Sequence, residues 1–129
     1  MKTPTLEELN PFSSIILDSC ITVHKVMGPG LLESVYQHCL SKELRLRNLK
    51  VETMVPVPLI YRGEELNKAY VIDLLIEGEI ILEIKSMDGI LPIHEAQILS
   101  YLKLANKRLG LLINFNVRLL KEGVRRFVN

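Results

Sequence analysis

A chain of 129 residues, 48% of them hydrophobic, is long enough to bury one core, and we expect a single domain over residues 1–129. The formal net charge of +1 argues against a protein that binds nucleic acid through bulk charge alone. Cys20 and Cys39 are too few and too far apart for a disulfide framework or a zinc knuckle. No apolar run reaches the ~18 residues that span a bilayer and no signal peptide opens the chain, so we expect a cytoplasmic protein without a membrane partner.

The first third of the chain predicts two helices. The first is expected to begin at Pro11, with Asn10 as its cap, and to end at Gly28. A second helix is expected from about Leu31 to Arg47 because apolar residues recur there at helical spacing. Glu33 lies in its first turn, where a carboxylate complements the partial positive charge of a helix N-terminus.

The middle of the chain predicts three strands that follow one another. Residues 50–61 alternate loosely in polarity, and Pro56 and Pro58 remove two ladder donors, which suits an edge strand. A turn at residues 62–65 leads to two apolar runs between Tyr70 and Lys85, joined at Gly78. This order predicts an antiparallel meander.

The last third predicts a helix followed by two strands. Pro92 opens a helix that runs to about Asn106. The continuous apolar run from Leu109 to Phe115 is typical of a buried central strand, and after a helix it is expected to return parallel to the preceding strand through a right-handed crossover. Residues 124–128 form a short last strand. The chain as a whole therefore predicts an α/β domain with a mixed sheet and helices on both faces.

Three charged residues, Asp73, Glu83 and Lys85, lie inside the two apolar runs, where a strand packed on both faces should carry none. Glu83 and Lys85 are two apart, so they point to the same face of a strand. Asp73 joins them only if the hairpin loop has an odd number of residues. We favour an odd loop, because carboxylates and an ammonium are tolerated in a buried hairpin when they pair with each other or with a cation.

The loop length decides between two registers. If Gly78 is the third residue of a three-residue loop, Leu75 pairs with Glu79 and Asp73 lies diagonal to Glu83. A two-residue turn would send the two carboxylates to opposite faces. An alternative interpretation of the charges also stays open, namely a structural ion pair of Lys85 with Glu83, with Asp73 facing solvent or flanking a turn.

Other polar residues allow both a functional and a structural interpretation. Gln97 and Tyr101 lie four apart on one face of the third helix, so Gln97 is either a satisfied core amide or part of a site. His24 and His94 are outer candidates. Basic residues cluster in three places, which predicts solvated faces or local phosphate contacts: Lys42, Arg45, Arg47 and Lys50; Lys103, Lys107 and Arg108; Arg118, Lys121, Arg125 and Arg126.

Residues 30–36, Gly-Leu-Leu-Glu-Ser-Val-Tyr, form a G-x-x-E-x-x-Y signature. With it, the chain resembles the GxxExxY proteins, a branch of the PD-(D/E)XK nuclease superfamily. The resemblance covers nearly the full length and includes Asp73, Glu83-Ile84-Lys85, residues 94–97 with Tyr101, and residues 112–115. One departure is Val71, since members of this family often carry an arginine two residues before the aspartate.

The resemblance implies a restriction-endonuclease-like core and a nuclease that acts on DNA or RNA. A homodimer or a larger complex is an open alternative to a single chain, since a domain this small offers little surface to grip a duplex. It also implies that Asp73, Glu83 and the carbonyl oxygen of Ile84 hold Mg2+, for which Mn2+ could substitute. Such a cation makes water a stronger nucleophile and stabilises charge on the phosphate. Lys85 would orient that water, neutralise charge or act as a base. The two helices would add further groups: Glu33 as another ligand or an acceptor around the ion, and Gln97 as a positioning group.

A rival interpretation of the same resemblance is a non-catalytic module for nucleic-acid binding or protein interaction that retains the nuclease scaffold. Near-zero net charge and Val71 favour it. The presence of Asp73, Glu83 and Lys85 argues against it, because an inactive site could exchange buried charges for apolar residues with little loss of stability.

Overall fold

The structure, a computed structural model, describes residues 3–67 and 70–129. Its helices are α1 (Leu6–Met27), α2 (Glu33–Leu46) and α3 (Pro92–Leu104). Its strands are β1 (Val51–Pro56), β2 (Ile60–Tyr61), β3 (Glu64–Glu65), β4 (Val71–Ile76), β5 (Ile80–Lys85), β6 (Leu109–Asn114) and β7 (Val124–Val128). A 3-10 turn at Leu120–Gly123 precedes β7.

Five strands form one mixed sheet in the order β1-β4-β5-β6-β7. β1, β4 and β5 pair antiparallel as a meander, β6 lies parallel to β5 after the α3 crossover, and β7 closes the sheet antiparallel to β6. The short β2–β3 hairpin forms a sheet of its own between β1 and β4 in the chain. The predicted mixed α/β fold is confirmed, including the parallel return of β6.

Helices cover both faces of the sheet because the central strands β4, β5 and β6 carry apolar residues on both sides. α1 and α2 pack against one face through the larger hydrophobic cluster, which includes Leu74 and Leu82. α3 packs against the other face through a smaller cluster, which includes Leu75 and Ile81. The close approach of α3 requires Gly110 on β6, where an added Cβ would lie 3.1 Å from Ile98 Cδ1. The carboxylates Asp73 and Glu83 lie towards α3, within electrostatic reach of Tyr101 on that helix.

Two predicted boundaries are wrong. α1 begins at Leu6 rather than at Pro11, because Thr5 caps it: the Thr5 hydroxyl accepts a hydrogen bond from the Glu8 N–H at 3.1 Å. Pro11 therefore lies inside the helix, where it lacks one hydrogen bond, and burial of Leu9 in the preceding turn helps to hold this segment in place. β1 ends at Pro56 instead of continuing to Tyr61, since the two prolines cannot donate to a ladder.

Within the described residues, no helix is long and apolar enough to span a membrane.

Candidate functional site

The β4–β5 hairpin sets the positions of the central acids. Glu77, Gly78 and Glu79 form its loop, so the predicted odd length is confirmed, but Gly78 is the middle residue and not the third. Both Glu77 and Gly78 adopt left-handed φ angles, of 54° and 66°. The predicted register is wrong by two residues, because the observed register pairs only apolar residues with one another: Leu74 with Leu82, Leu75 with Ile81, and Ile76 with Ile80.

Continuing this register brings Asp73 level with Glu83, and the two carboxylates interlock with the main chain there. The Asp73 N–H donates to Glu83 Oε2 at 3.0 Å, and the Ile84 N–H donates to Asp73 Oδ2 at 2.8 Å. The side chains thus occupy positions that a continued strand ladder would give to carbonyl oxygens. Glu83 is buried, with 4% of its surface exposed, and Asp73 is half-buried. We call Asp73 and Glu83 the acid pair.

The protein around the acid pair does not by itself stabilise the ionised form of Glu83. Burial, followed by the nearby Asp73 carboxylate, raises the pKa of Glu83 well above the usual range of a glutamate. Lys85 opposes this rise only weakly, and in residues 3–67 and 70–129 no ion pair joins Lys85 to either carboxylate. The structural ion pair that the sequence left open is therefore not formed.

The carbonyl oxygen of Ile84 faces the same place. The Lys85 carbonyl accepts a hydrogen bond from the Phe115 N–H at 2.9 Å, on the β6 side of β5. Successive carbonyls of a strand point to opposite sides, so the Ile84 carbonyl points towards β4, as does the Ile84 N–H that binds Asp73. Two carboxylates and one carbonyl oxygen therefore converge at one end of the β4–β5 pair.

α3 places Gln97 and Tyr101 over the same face of the sheet. Burial, the carboxylates of Glu83 and Asp73, and the neighbouring Tyr70 raise the pKa of Tyr101 to about 12, in that order of importance. Tyr101 is therefore within electrostatic reach of the acid pair. Gln97 lines a cavity together with Tyr101 and makes no hydrogen bond to the acid pair within the described part of the chain.

The sequence matches the family model of the PD-(D/E)XK nuclease superfamily over residues 10–127. The chain belongs to this superfamily. The match includes the acid pair and Lys85, and the mixed sheet agrees with the restriction-endonuclease-like fold of the group. Members generally use divalent metal ions and act on nucleic acid, so membership indicates nuclease activity. No curated protein and no solved structure matched the chain.

The donor set suits the divalent cations of the superfamily. Carboxylate and carbonyl oxygens are the hard donors that Mg2+, Mn2+ and Ca2+ prefer. Because burial and Asp73 raise the pKa of Glu83, the metal-free protein disfavours the ionised carboxylate, and a bound dication would stabilise it. Asp73, Glu83 and Ile84 could therefore hold such an ion.

No hydrogen bond or ion pair of the described residues joins Glu33 to the acid pair. It is the exposed first residue of α2, a helix that packs on the opposite face of the sheet, and none of the described ion pairs or side-chain hydrogen bonds involves it. In the part of the chain that the structure describes, no three His, Cys, Asp or Glu residues are arranged to hold a metal. Any cation at the acid pair would thus be completed by water or substrate oxygens.

The tyrosine of the G-x-x-E-x-x-Y signature explains how the start of α2 is held. The Tyr36 hydroxyl donates to the Gly28 carbonyl and accepts from the Leu31 N–H at 3.2 Å, while its ring stacks on Phe115 with centroids 4.5 Å apart. The Ser86 hydroxyl donates to the Leu31 carbonyl. These bonds tie the loop before Glu33 to the segment that directly follows Lys85.

The two histidine candidates make structural contacts. His24 Nε2 lies 2.8 Å from the Val117 carbonyl oxygen, which joins α1 to the loop after β6. His94 Nδ1 accepts a hydrogen bond from the Leu91 N–H at 3.0 Å and so caps α3. Neither contact involves the acid pair.

Asn114 holds the segment that follows Lys85 in place, a role that was not predicted from the sequence. It is 3% exposed and pairs with Lys85 across the parallel strands. Its side chain binds the Met87 N–H at 3.1 Å, the Met87 carbonyl at 2.9 Å and the Asn116 N–H at 3.2 Å. It therefore fixes the exit of β5. An amide that ends a run of buried apolar residues was the available signal.

Proposed function

We propose that this protein is a magnesium-dependent nuclease of the GxxExxY branch, which hydrolyses phosphodiester bonds of DNA or RNA at the acid pair. The observation that carries this proposal is the interlocked pair of carboxylates, one buried and one half-buried, with which no side chain of the described residues forms an ion pair. Membership of the PD-(D/E)XK nuclease superfamily supplies the reaction class.

The metal-holding residues in this proposal are Asp73, Glu83 and, through its carbonyl oxygen, Ile84. Mg2+ suits a site with one or two carboxylates and several waters, and Mn2+ would substitute. When bound, the cation would make water a stronger nucleophile and stabilise negative charge on the phosphate. The main-chain N–H groups of Asp73 and Ile84 keep the carboxylates aimed before any ion arrives.

The remaining residues would position the reactants. Lys85 shares the face of Glu83 at the end of β5, where its ammonium could orient the attacking water or offset charge on the phosphate. Gln97 would orient the substrate from α3. Glu33, whose carboxylate is exposed at the first position of α2, would accept hydrogen bonds from water around the site.

Assignment to the GxxExxY branch is supported by what its signature residues do. Gly30 has a left-handed φ of 89°, which a residue with a side chain rarely adopts. Tyr36 binds the loop on both sides of Gly30, and Glu33 emerges at the first position of α2. Gly30 and Tyr36 thus fix the loop from which Glu33 begins α2.

A second candidate function is a non-catalytic module that binds nucleic acid or a protein. The observation that favours it is the lack, among the described residues, of a third acidic or histidine group beside the acid pair. Val71 in place of an arginine points the same way.

Cleavage assays separate the two functions. Wild-type protein is incubated with single-stranded, duplex and branched DNA and with RNA, in Mg2+ or Mn2+, beside Asp73→Asn and Glu83→Gln. We expect metal-dependent cleavage, reduced by about 100-fold or more in both variants, since even residues that only support metal ligands cost 10–100-fold. Glu122→Gln is the matched control, because Glu122 is exposed and lies on the 3-10 turn.

Calorimetric titration with Mg2+ completes the test. Heat that depends on Asp73 and Glu83 supports the nuclease. Lys85→Met should keep that heat while it lowers cleavage. Wild-type protein that cleaves none of these substrates, with Asp73→Asn indistinguishable from it in titration, would leave the binding module as the function.

A further inference from the structure

A cavity of about 310 Å3 opens along α3, between this helix and the chain on either side of the β2–β3 hairpin. Its lining consists of Leu59, Tyr70, Ile93, Ala96, Gln97, Ser100, Tyr101 and Leu104. Tyr101 belongs to the same hydrophobic cluster as Leu75 and Ile81, the sheet neighbours of the acid pair on this face. The carboxylates of Glu83 and Asp73 also raise the pKa of Tyr101, so this wall of the cavity lies within electrostatic reach of the acid pair.

The walls of the cavity combine an aromatic ring with unused polar groups. Tyr70 is 50% exposed, and its ring meets that of Tyr101 edge-on, with centroids 6.5 Å apart and an angle of 61°. Within residues 3–67 and 70–129, neither the Gln97 amide nor the Tyr101 hydroxyl makes a side-chain hydrogen bond. Apolar walls with a few convergent polar groups are typical of sites that bind planar, polar-edged ligands.

The charge of the protein limits what else could hold a substrate. With a formal net charge of +1, the chain has little excess of basic residues to follow a phosphate backbone. Arg125, one of the basic residues on the neighbouring β7, is paired with Glu95 of α3. Contacts to bases, which stack on exposed aromatic rings whatever their sequence, would add to the affinity for nucleic acid.

We propose that this cavity binds one unpaired nucleobase of a single-stranded nucleic acid, next to the phosphate at the acid pair. The inference rests on the proposed nuclease function and names its substrate class. Tyr70 stacks on the base, while the Gln97 amide and the Tyr101 hydroxyl bind its polar edge. A base inside a duplex stacks on a neighbour above and below and pairs with the opposite strand, so it cannot enter the cavity. Single strands and frayed ends are therefore the preferred substrates.

Fluorescence anisotropy tests whether the cavity binds a base. It compares labelled single strands of about 12 nucleotides with blunt duplexes of the same sequence. Measurements use Ca2+ in place of Mg2+, and strand integrity is checked on a gel. Tyr70→Ala should weaken single-strand binding about tenfold and leave duplex binding unchanged, because base–aromatic stacking contributes about 1–3 kcal/mol. Tyr70→Phe keeps the ring and should bind as wild type does.

Two further variants control for folding and for position. Ser100→Phe fills the cavity from an exposed position and should weaken single-strand binding as Tyr70→Ala does. Tyr61→Ala removes a ring that is 64% exposed on β2 and does not line the cavity, so it should have no effect. A 2-aminopurine placed along the strand should change its fluorescence on binding to wild type, and this change should be lost in Tyr70→Ala.

The outcomes separate the cavity from the nuclease. Single-strand binding that is unchanged in both Tyr70→Ala and Ser100→Phe overturns the cavity, even if the protein cleaves nucleic acid at the acid pair. Equal affinity for duplex and single strand, or no binding of either, overturns it as well. Binding that depends on Tyr70, without metal-dependent cleavage by the wild type, keeps the cavity and refutes the nuclease.

Discussion

The two faces of the central sheet are built differently although the same strands form both. On the face covered by α1 and α2, β4 and β5 contribute only apolar residues, such as Leu74 and Leu82, and these are fully buried. On the face covered by α3, the apolar residues Leu75 and Ile81 give way at the next position to Asp73 and Glu83. One face stabilises the domain, and the other carries the charges at its open end.

This difference teaches why the acid pair can exist. Burying two carboxylates is unfavourable unless something else holds the strands in register. The α1/α2 face supplies this through continuous apolar packing across β4, β5 and β6. The main-chain ladder between β4 and β5 can then stop before Asp73 and Glu83, whose side chains accept hydrogen bonds from the main-chain N–H groups there.

The largest effect is expected from a cavity in the α1/α2 face. Leu82→Ala should lower the free energy of unfolding by about 2–5 kcal/mol, the usual cost of truncating a fully buried leucine. Urea denaturation measures it. Ile93→Ala, at a residue of α3 that is 67% exposed, should stay within about 0.5 kcal/mol of wild type. Similar losses in both variants would break the contrast between the faces.

Next in size is the effect of pH on the metal-free protein. The pKa of Glu83 is raised on folding, so its contribution to stability is fully present below the pKa of an unfolded glutamate and is lost as pH rises through the folded value. The free energy of unfolding should therefore decrease between about pH 5 and pH 9, by at most about 1.4 kcal/mol for each tenfold fall in proton concentration. The midpoint of thermal unfolding, measured across this range, should decrease with it.

Glu83→Gln carries no titrating group at this position and should flatten that part of the profile. Mg2+ binding should strengthen as pH rises and should release protons, because the ion requires both carboxylates deprotonated. A wild-type profile that rises over the same range would contradict the assignment of the raised pKa.

A smaller effect is expected at the exit of β5. Asn114→Ala leaves the Met87 N–H without its partner, which should cost about 1–3 kcal/mol of stability. Cleavage by the folded fraction should also decrease, since Asn114 pairs with Lys85. Asn116→Ala is the matched control for unfolding in urea. Among the described residues, Asn116 bonds to Asn114 through its main-chain N–H and makes no side-chain hydrogen bond. Equal stability of the two variants would exclude a positioning role for Asn114.

The smallest effect is expected from Tyr36→Phe. It keeps the ring stacked on Phe115 and removes only the bonds to Gly28 and Leu31, for about 0.5–1.5 kcal/mol. If these bonds hold Glu33 in position, folded Tyr36→Phe should cleave more slowly than wild type. Its KM or kcat should then change in the same direction as in Glu33→Gln. An effect on stability alone would make the signature tyrosine purely structural.

Much of the fold could be predicted from local patterns. Each of these patterns lies in the same stretch of sequence as the element that it indicates. The apolar runs and Pro56 indicated the meander, Pro92 the third helix and Gly78 the hairpin. The start of α1 was missed because a threonine cap and burial of Leu9 outweigh the preference of proline for a first turn. The register was missed by two residues because pairing of Ile76 with Ile80 depends on packing against distant helices.

The sequence by itself determined which residues are charged inside apolar strands and, through the odd loop, that Asp73 and Glu83 share a face. Only the tertiary structure decided that their carboxylates bind main-chain N–H groups and that α2, which begins at Glu33, packs on the opposite face of the sheet. It also decided that Lys85 forms no ion pair with them among the residues that the structure describes. The reason is physical: side-chain direction alternates along a strand and follows from sequence position. Contacts between elements depend instead on how far apart the packed helices and strands come to rest.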